Sequence, residues 1–282
     1  MADAHYENPR LAALYDPLDA DRSDLEVYAE MAAEFGVRDV LDIGCGTGTF
    51  GCLLAARGFT VTGLDPASAS LDIARSKMFA DKVRWVNGTV SDLADLQVDL
   101  VTMTGNVAQV FLTDAEWDAV LGAARQTLRP GGRLVFETRD PARRAWLEWN
   151  RQDTYQKAAH PGIGTIETWS DVTDIRDVSA CLVTFRTTYV FESDGAVHTS
   201  DSTLRFRTRQ EVTDSLSAAG FTVAEVRDAP DRPGREFVFI AIPVSQPGDR
   251  SVPPRTCTGS PPGITGSRGS VRRNNQAAGP GP

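Results

Sequence analysis

The chain has little of what metal- and nucleophile-based catalysis requires. It contains three histidines, His5, His160 and His198, and four cysteines, Cys45, Cys52, Cys181 and Cys257, none at metal-ligand spacing. Neither a G-x-S-x-G elbow nor an H-E-x-x-H helix is present, so no metal site is expected and the cysteines read as reduced and structural. No apolar run approaches the ~20 residues that span a bilayer. The opening Met1-Ala2-Asp3-Ala4-His5 lacks the basic and apolar regions of a signal peptide, so no membrane partner and a cytoplasmic location are expected. Positive charge is also short. With 29 Lys and Arg against 38 Asp and Glu, the formal net charge is -9, a field that repels polyanions and argues against nucleic acid as a partner.

What is present is an alternation of strand and helix signals. Apolar runs at Val40–Ile43, Thr60–Leu64, Val83–Val86, Leu100–Met103 and Leu134–Glu137 predict five strands separated by helical segments. Ser23-x-x-Glu26 and Thr113-x-x-Glu116 have the capping-box form, which starts helices near Asp24 and Asp114. Arg129-Pro130-Gly131-Gly132 ends one helix and launches the fifth strand. After Glu137 the period changes to two, with Cys181, Val183, Phe185, Tyr189 and Phe191 on one face and a hairpin turn at Asp194-Gly195, which predicts a three-stranded antiparallel insertion. A helix near Arg209–Ala219 and strands at Thr222–Val226 and Phe237–Ile242 complete the pattern.

The expected fold class is therefore α/β, a doubly wound, mostly parallel seven-stranded Rossmann-like sheet with an antiparallel β-insertion after the fifth strand. The expected organisation is a helical flap over 1–36, a cofactor-binding core over 37–138, an insertion over 139–207, a return to the core over 208–243, and a disordered tail over 244–282. The tail is rich in Pro, Gly, Ser and Arg and poor in apolar residues.

The densest signal is Asp39-Val40-Leu41-Asp42-Ile43-Gly44-Cys45-Gly46-Thr47-Gly48, a buried strand that breaks into a glycine turn before a helix. The next strand ends on Asp65, whose carboxylate can accept two hydrogen bonds from a ribose diol. Gly46, Gly48 and Gly51 also fit the G-x-G-x-x-G of a dinucleotide fold, which would make the chain an NAD(P)-dependent oxidoreductase. The register disfavours that alternative. The strand stops two residues early and carries Asp42, a carboxylate awkward beside a pyrophosphate but suited to a ligand with a sulfonium and an ammonium.

On these residues the chain resembles the class I S-adenosylmethionine-dependent methyltransferases, whose first motif is an acid followed by G-x-G-x-G. The Pro-Gly-Gly before an apolar strand is a second mark of that family. The likeness covers about 10–242 and points toward small-molecule enzymes with a β-insertion, such as the glycine and amino-sugar N-methyltransferases. It implies S-adenosylmethionine as cofactor and a small-molecule acceptor, methylated by in-line displacement. Carried over by position, Gly44, Gly46 and Gly48 would line the methionine and ribose part, Asp65 the ribose hydroxyls, and Asp42 the ammonium. Thr89 stands where the family has an acid facing adenine, with the Val90 backbone beside it and Asp92 as a substitute carboxylate. Tyr15 and Arg22, in the N-terminal flap, would shield the sulfonium and pair the carboxylate. Asn106, Glu137 and Arg139, at the carboxyl ends of the fourth and fifth strands, are the candidate catalytic set, able to orient an acceptor or move its proton. On the insertion, Trp169 is expected to face the acceptor, and Arg205 and Arg207 either to line the acceptor site or to be solvated. A non-catalytic cofactor-binding protein on the same scaffold is the remaining alternative.

Overall fold

The computed structural model describes residues 2–93, 95–160, 162–176 and 181–244. The chain opens with three short helices, α1 (Ala4–Glu7), α2 (Pro9–Ala12) and α3 (Tyr15–Leu18), followed by α4 (Asp24–Glu34). It then alternates through β1 (Asp39–Ile43), α5 (Thr49–Ala56), β2 (Thr60–Asp65), α6 (Ser68–Ser76), β3 (Val83–Asn87), β4 (Val98–Met103), α7 (Asp114–Thr127) and β5 (Leu128–Arg139). A second group follows: α8 (Arg151–Thr154), β6 (Gln156–His160), β7 (Gly164–Arg176), β8 (Cys181–Phe191) and β9 (Val197–Phe206). Helix α9 (Arg209–Ala218) and strands β10 (Phe221–Asp228) and β11 (Glu236–Pro243) return to the first sheet.

That sheet has seven strands in the order β10-β11-β5-β4-β1-β2-β3. All run parallel except β11, which pairs antiparallel with both β5 and β10. Strand order reverses beside β1, where β2 and β4 flank it, and the crevice outside the strand carboxyl ends at such a point is where ligands bind in open α/β sheets. Alternation along β1 sends Leu41 and Ile43 to one face, against Trp117 and Leu121 of α7 and Leu216 of α9, and Val40 to the other, against Leu25 of α4 and Leu54 of α5. Trp117 is fully enclosed and stacks edge-on against Phe136 at 5.4 Å, so Trp117→Ala would cost about 3–5 kcal/mol.

Capping decides where α7 begins. Thr113 and Glu116 form the reciprocal box at the start of α7, with Glu116 N donating to Thr113 Oγ1 at 3.2 Å and Thr113 N to Glu116 Oε2 at 2.9 Å. The box expected at Ser23 does not form. Glu26 pairs with Arg57 on α5 instead, and Ser23 makes no side-chain cap. Pro130-Gly131-Gly132 lies inside β5 as an irregularity, since the pairing jumps from Val98 with Leu128 to Leu100 with Arg133.

The insertion is a four-stranded antiparallel sheet, β6-β7-β8-β9, where three strands were expected. The additional strand β6, Gln156-Lys157-Ala158-Ala159-His160, is an edge strand with no β-branched or aromatic residue to announce it. Ile166, Tyr189 and Phe191 of this sheet pack against Leu11 and Leu14 of the N-terminal segment. Of the expected tail, Val244 is still anchored, its N–H donating to the Gly220 carbonyl at 2.8 Å and its carbonyl accepting from Arg125 at 2.9 Å. Positions 245–282 lie outside the described residues.

Candidate active site

The three glycines of the first turn are required for different reasons. All have positive φ, at +72° for Gly44, +51° for Gly46 and +75° for Gly48. A Cβ on Gly44 would meet Val107 at 2.6 Å, and one on Gly48 would meet Trp85 at 2.5 Å and Ala74 at 2.7 Å. Protein packs on both. Beside Gly46 there is open space, so this residue presents bare backbone to the crevice.

Asp65, at the end of β2, is fixed by that same backbone. Its Oδ2 accepts from Gly46 N at 2.8 Å and its Oδ1 from Ala67 N at 2.8 Å. Burial raises its pKa, and the two amides act against that rise. Asp42 is deeper still. It accepts from the Thr102 hydroxyl at 2.9 Å, and burial pushes its pKa up to about 7. Among the described residues it has no ion pair.

Thr89 and Asp92 are engaged with each other. Thr89 N donates to Asp92 Oδ2 at 2.8 Å, capping the short turn Val90–Asp92, and the Val90 side chain packs on the core. The carboxylate of Asp92 thus serves as a cap. Arg22 is bound by Asp24 through two contacts, at 3.1 and 3.3 Å. Tyr15 packs edge-on to His5 at 5.4 Å.

The first twenty residues touch both sides of the crevice. Glu7 accepts from the backbone and hydroxyl of Ser68 at the start of α6, both at 2.9 Å, and the Tyr6 carbonyl accepts from Ser70 at 2.9 Å. Asp16 accepts from Thr47 at 2.7 Å and pairs with Lys77 at 2.6 Å. On the other side, His5 N donates to Ser200 of β9 at 2.9 Å, and the His5 ring bonds the Tyr189 hydroxyl. Burial lowers the His5 pKa to about 4 and keeps the ring neutral.

Asn106 and Glu137 are buried in one polar cluster. Asn106 N donates to Glu137 Oε1 at 2.9 Å, the Tyr28 hydroxyl bonds the other oxygen, and Asn106 Nδ2 reaches Glu236 at 3.2 Å. Burial, with Glu236 nearby, pushes the Glu137 pKa up to about 7. Arg139 adjoins this cluster through Glu236 at 3.6 Å and donates to Gln109 Oε1 at 2.9 Å. Unlike Asn106 and Glu137, it lines a cavity of about 380 Å³ whose walls come from the N-terminal segment and the second sheet. Trp169 also lines it, with Trp149, Phe185, Tyr189, Tyr15 and His5. Arg205 and Arg207 are neither solvated nor on this wall. Both are buried, donating to the carbonyls of Leu112 at 3.0 Å and Phe111 at 2.8 Å, and Arg205 also pairs with Asp114 at 2.7 Å.

Comparison with known proteins bears on this arrangement. A family profile described as a methyltransferase domain matches residues 40–132, from β1 to the Pro-Gly-Gly. The matched stretch, which holds the glycine turn and Asp65, is similar to a methyltransferase domain. The chain is 37% identical over 106 residues to a cypemycin N-terminal methyltransferase of a Streptomyces species, a match spanning 37% of this chain and 43% of that one. The chain thus spans less than half the length of that curated relative. Its fold is similar to that of the CcbJ methyltransferase of Streptomyces caelestis, with a TM-score of 0.70, 22% identity and coverage of 86% of this chain and 100% of that one. It is also similar to the SAM-bound amino pentose methyltransferase CalS10 of Micromonospora echinaspora, involved in calicheamicin biosynthesis, with a TM-score of 0.58, 23% identity and coverage of 77% and 90%.

Sequence reasoning missed several residues around the crevice and the cavity. Tyr189 was placed on the apolar face of its strand, where it is indeed buried, yet its hydroxyl meets His5 across the cavity. Glu236, a carboxylate opening an apolar strand, carried a signal that could have been noticed, since charged residues are rarely buried without a partner. No local pattern in the sequence marked His5 or Tyr28.

Proposed function

We propose that this chain binds S-adenosylmethionine at the glycine turn and transfers its methyl group to a small-molecule acceptor held in the cavity between Arg139 and the second sheet. The observation that carries the reading is the position of the N-terminal segment. Asp16, Glu7 and the Tyr6 carbonyl bond the glycine turn and α6, while His5 and Tyr15 of the same segment line the cavity.

The residues present fit such a cofactor. Gly46 leaves bare backbone at the crevice, and Asp65 is held by two amides with lone pairs to spare for a ribose diol. Asp42 is a buried carboxylate with no ion pair among the described residues, a setting an ammonium would complement. When bound, the cofactor supplies a methyl group on a sulfonium sulfur, open to in-line displacement by a nucleophile. The chain then has to orient the acceptor and keep water out. Arg139, held by Gln109, gives the cavity a fixed cationic contact, and Trp149, Trp169 and Phe185 give it apolar walls. His5, neutral at physiological pH, holds the Tyr189 hydroxyl in place. A small-molecule acceptor is in keeping with the cavity's size and with the amino pentose methyltransferase among the similar structures.

The test has two stages. S-adenosylhomocysteine should raise the melting temperature while NAD and NADP do not, because only a ligand of the folded site stabilises it; a shift with NAD alone would sink the reading. Methyl-labelled S-adenosylmethionine should then label a component of a metabolite extract. Binding without transfer to any extract would instead make the chain a cofactor-binding protein.

A further inference from the structure

We infer that the acceptor is a planar, largely apolar small molecule bearing a single carboxylate, and that Arg139 selects it. The inference rests on the reading of the cavity as the acceptor site and deepens it.

Arg139 is a cation without a close counter-charge. Its Nη1 donates to Gln109, a neutral acceptor, and its ionic partner among the described residues is Glu236 at the long distance of 3.6 Å. Glu236 is already committed, accepting from Arg232 Nη1 at 2.8 Å and from Asn106 Nδ2 at 3.2 Å. The other carboxylate of the cluster, Glu137, is tied to Tyr28 and the Asn106 amide, and its burial disfavours a full charge. Arg232 also pairs with Asp231 at 3.4 Å, so of the two arginines it is Arg139, on the cavity wall, that keeps the long and shared contact to Glu236. Burial also lowers the Arg139 pKa, so its charge carries a desolvation cost that an incoming anion would offset.

The other walls define the rest of the ligand. His5 is neutral, and Asp19 is an exposed carboxylate at the margin that opposes a polyanion such as a nucleotide or a phosphate ester. A single guanidinium on the wall suits a monoanion, since Asp19, which lies 3.9 Å from Arg22, adds no second cation, and a carboxylate matches the planar fork of arginine. Trp149, with its ring centre 5.6 Å from the Arg139 guanidinium, meets Phe185 edge-on at 4.9 Å, and these rings with Trp169 give the cavity aromatic surface suited to a flat ring system.

Matched acid and amide pairs test this on the full chain saturated with S-adenosylhomocysteine: benzoate with benzamide, 4-aminobenzoate with 4-aminobenzamide, and indole-3-carboxylate with indole-3-carboxamide, each titrated calorimetrically. The acid of at least one pair should bind tenfold or more tightly than its amide. Arg139→Gln should reduce that ratio to below threefold while S-adenosylhomocysteine binds as before, and Arg139→Lys should retain part of it. Equal binding of acid and amide, binding of neither in every pair, or an undiminished ratio in Arg139→Gln would overturn the inference. The wild-type ratio decides the matter without any variant, should Arg139→Gln fold poorly. Failure of the wild type to bind S-adenosylhomocysteine would strike the methyltransferase reading first, and this inference with it.

Discussion

The glycine turn and the second-sheet cavity are built by opposite means. At the turn, main-chain groups set the geometry: Gly46 and Ala67 amides aim Asp65, and glycines admit Val107, Trp85 and Ala74 where side chains would collide. The backbone groups that aim Asp65 lie within about one β-α-β unit. At the cavity, side chains from α1, α3, β5, β7 and β8 converge, brought together over long sequence separations such as the 184 residues between His5 and Tyr189. A backbone-built site tolerates almost no change in its sequence, whereas a side-chain-built site can be altered one wall at a time.

The sharpest way to break this contrast is within the turn. Gly48→Val places a branched side chain at φ +75° against Trp85 and Ala74, and should cost about 3 kcal/mol or more, read as a large fall in melting temperature or loss of soluble protein. Survival with an unchanged melting temperature would show that the turn is not rigid. Asp65→Ala should come next. It strips the acceptor from two amides, at about 1–3 kcal/mol for each one left unsatisfied, and should lower affinity for S-adenosylhomocysteine at least tenfold in calorimetry. Both effects should appear together if, as proposed, one carboxylate serves fold and ligand.

Glu137 sharpens the comparison through pH. Its folded pKa, about 7, lies above the ordinary 4.5, so the folded state holds its proton more tightly than the unfolded chain does. Its contribution to stability is complete below about pH 4.5 and is lost as pH rises through about 7. Asp42 acts in the same direction. Urea unfolding of the ligand-free protein at several pH values should show stability falling across that window, by a few kcal/mol in order of magnitude for Glu137. Glu137→Gln should flatten the slope; parallel curves would refute the burial argument. The smallest expected effect belongs to the cavity. Trp169→Ala should lower kcat/KM for the acceptor about tenfold, near 1.4 kcal/mol, and leave the Kd for S-adenosylhomocysteine untouched. A changed Kd would mean that the two regions are not independent.

Legibility followed the same division. The strands from β1 to β5, the glycine turn and Asp65 could be read in advance because each depends on residues a few positions apart. Arg139 and Trp169 were picked out as polar and aromatic residues near a crevice, and both line the cavity. Asn106 and Glu137 were grouped with Arg139 from their strand-end positions. What strand position could not convey was the Tyr28 hydroxyl and Glu236, which close a cluster around them from distant parts of the chain. Arg205 and Arg207 were misjudged for the same reason. Alternation fixed which face they occupy, but only tertiary structure supplies the carbonyls of residues 108–113 that receive them.

Those two arginines have a consequence for how the protein could acquire new acceptors. They rivet β9 to the loop that also carries Asn106 and Gln109, so the sheet and the strand-end residues form one stiff frame rather than a hinged jaw. A chamber of fixed dimensions does not stretch around a bulkier guest. Widening its repertoire would therefore proceed by trimming or exchanging individual panels such as Trp169 and Phe185, and each exchange would redraw the list of accepted molecules while the riveted frame and the donor side stayed as they were.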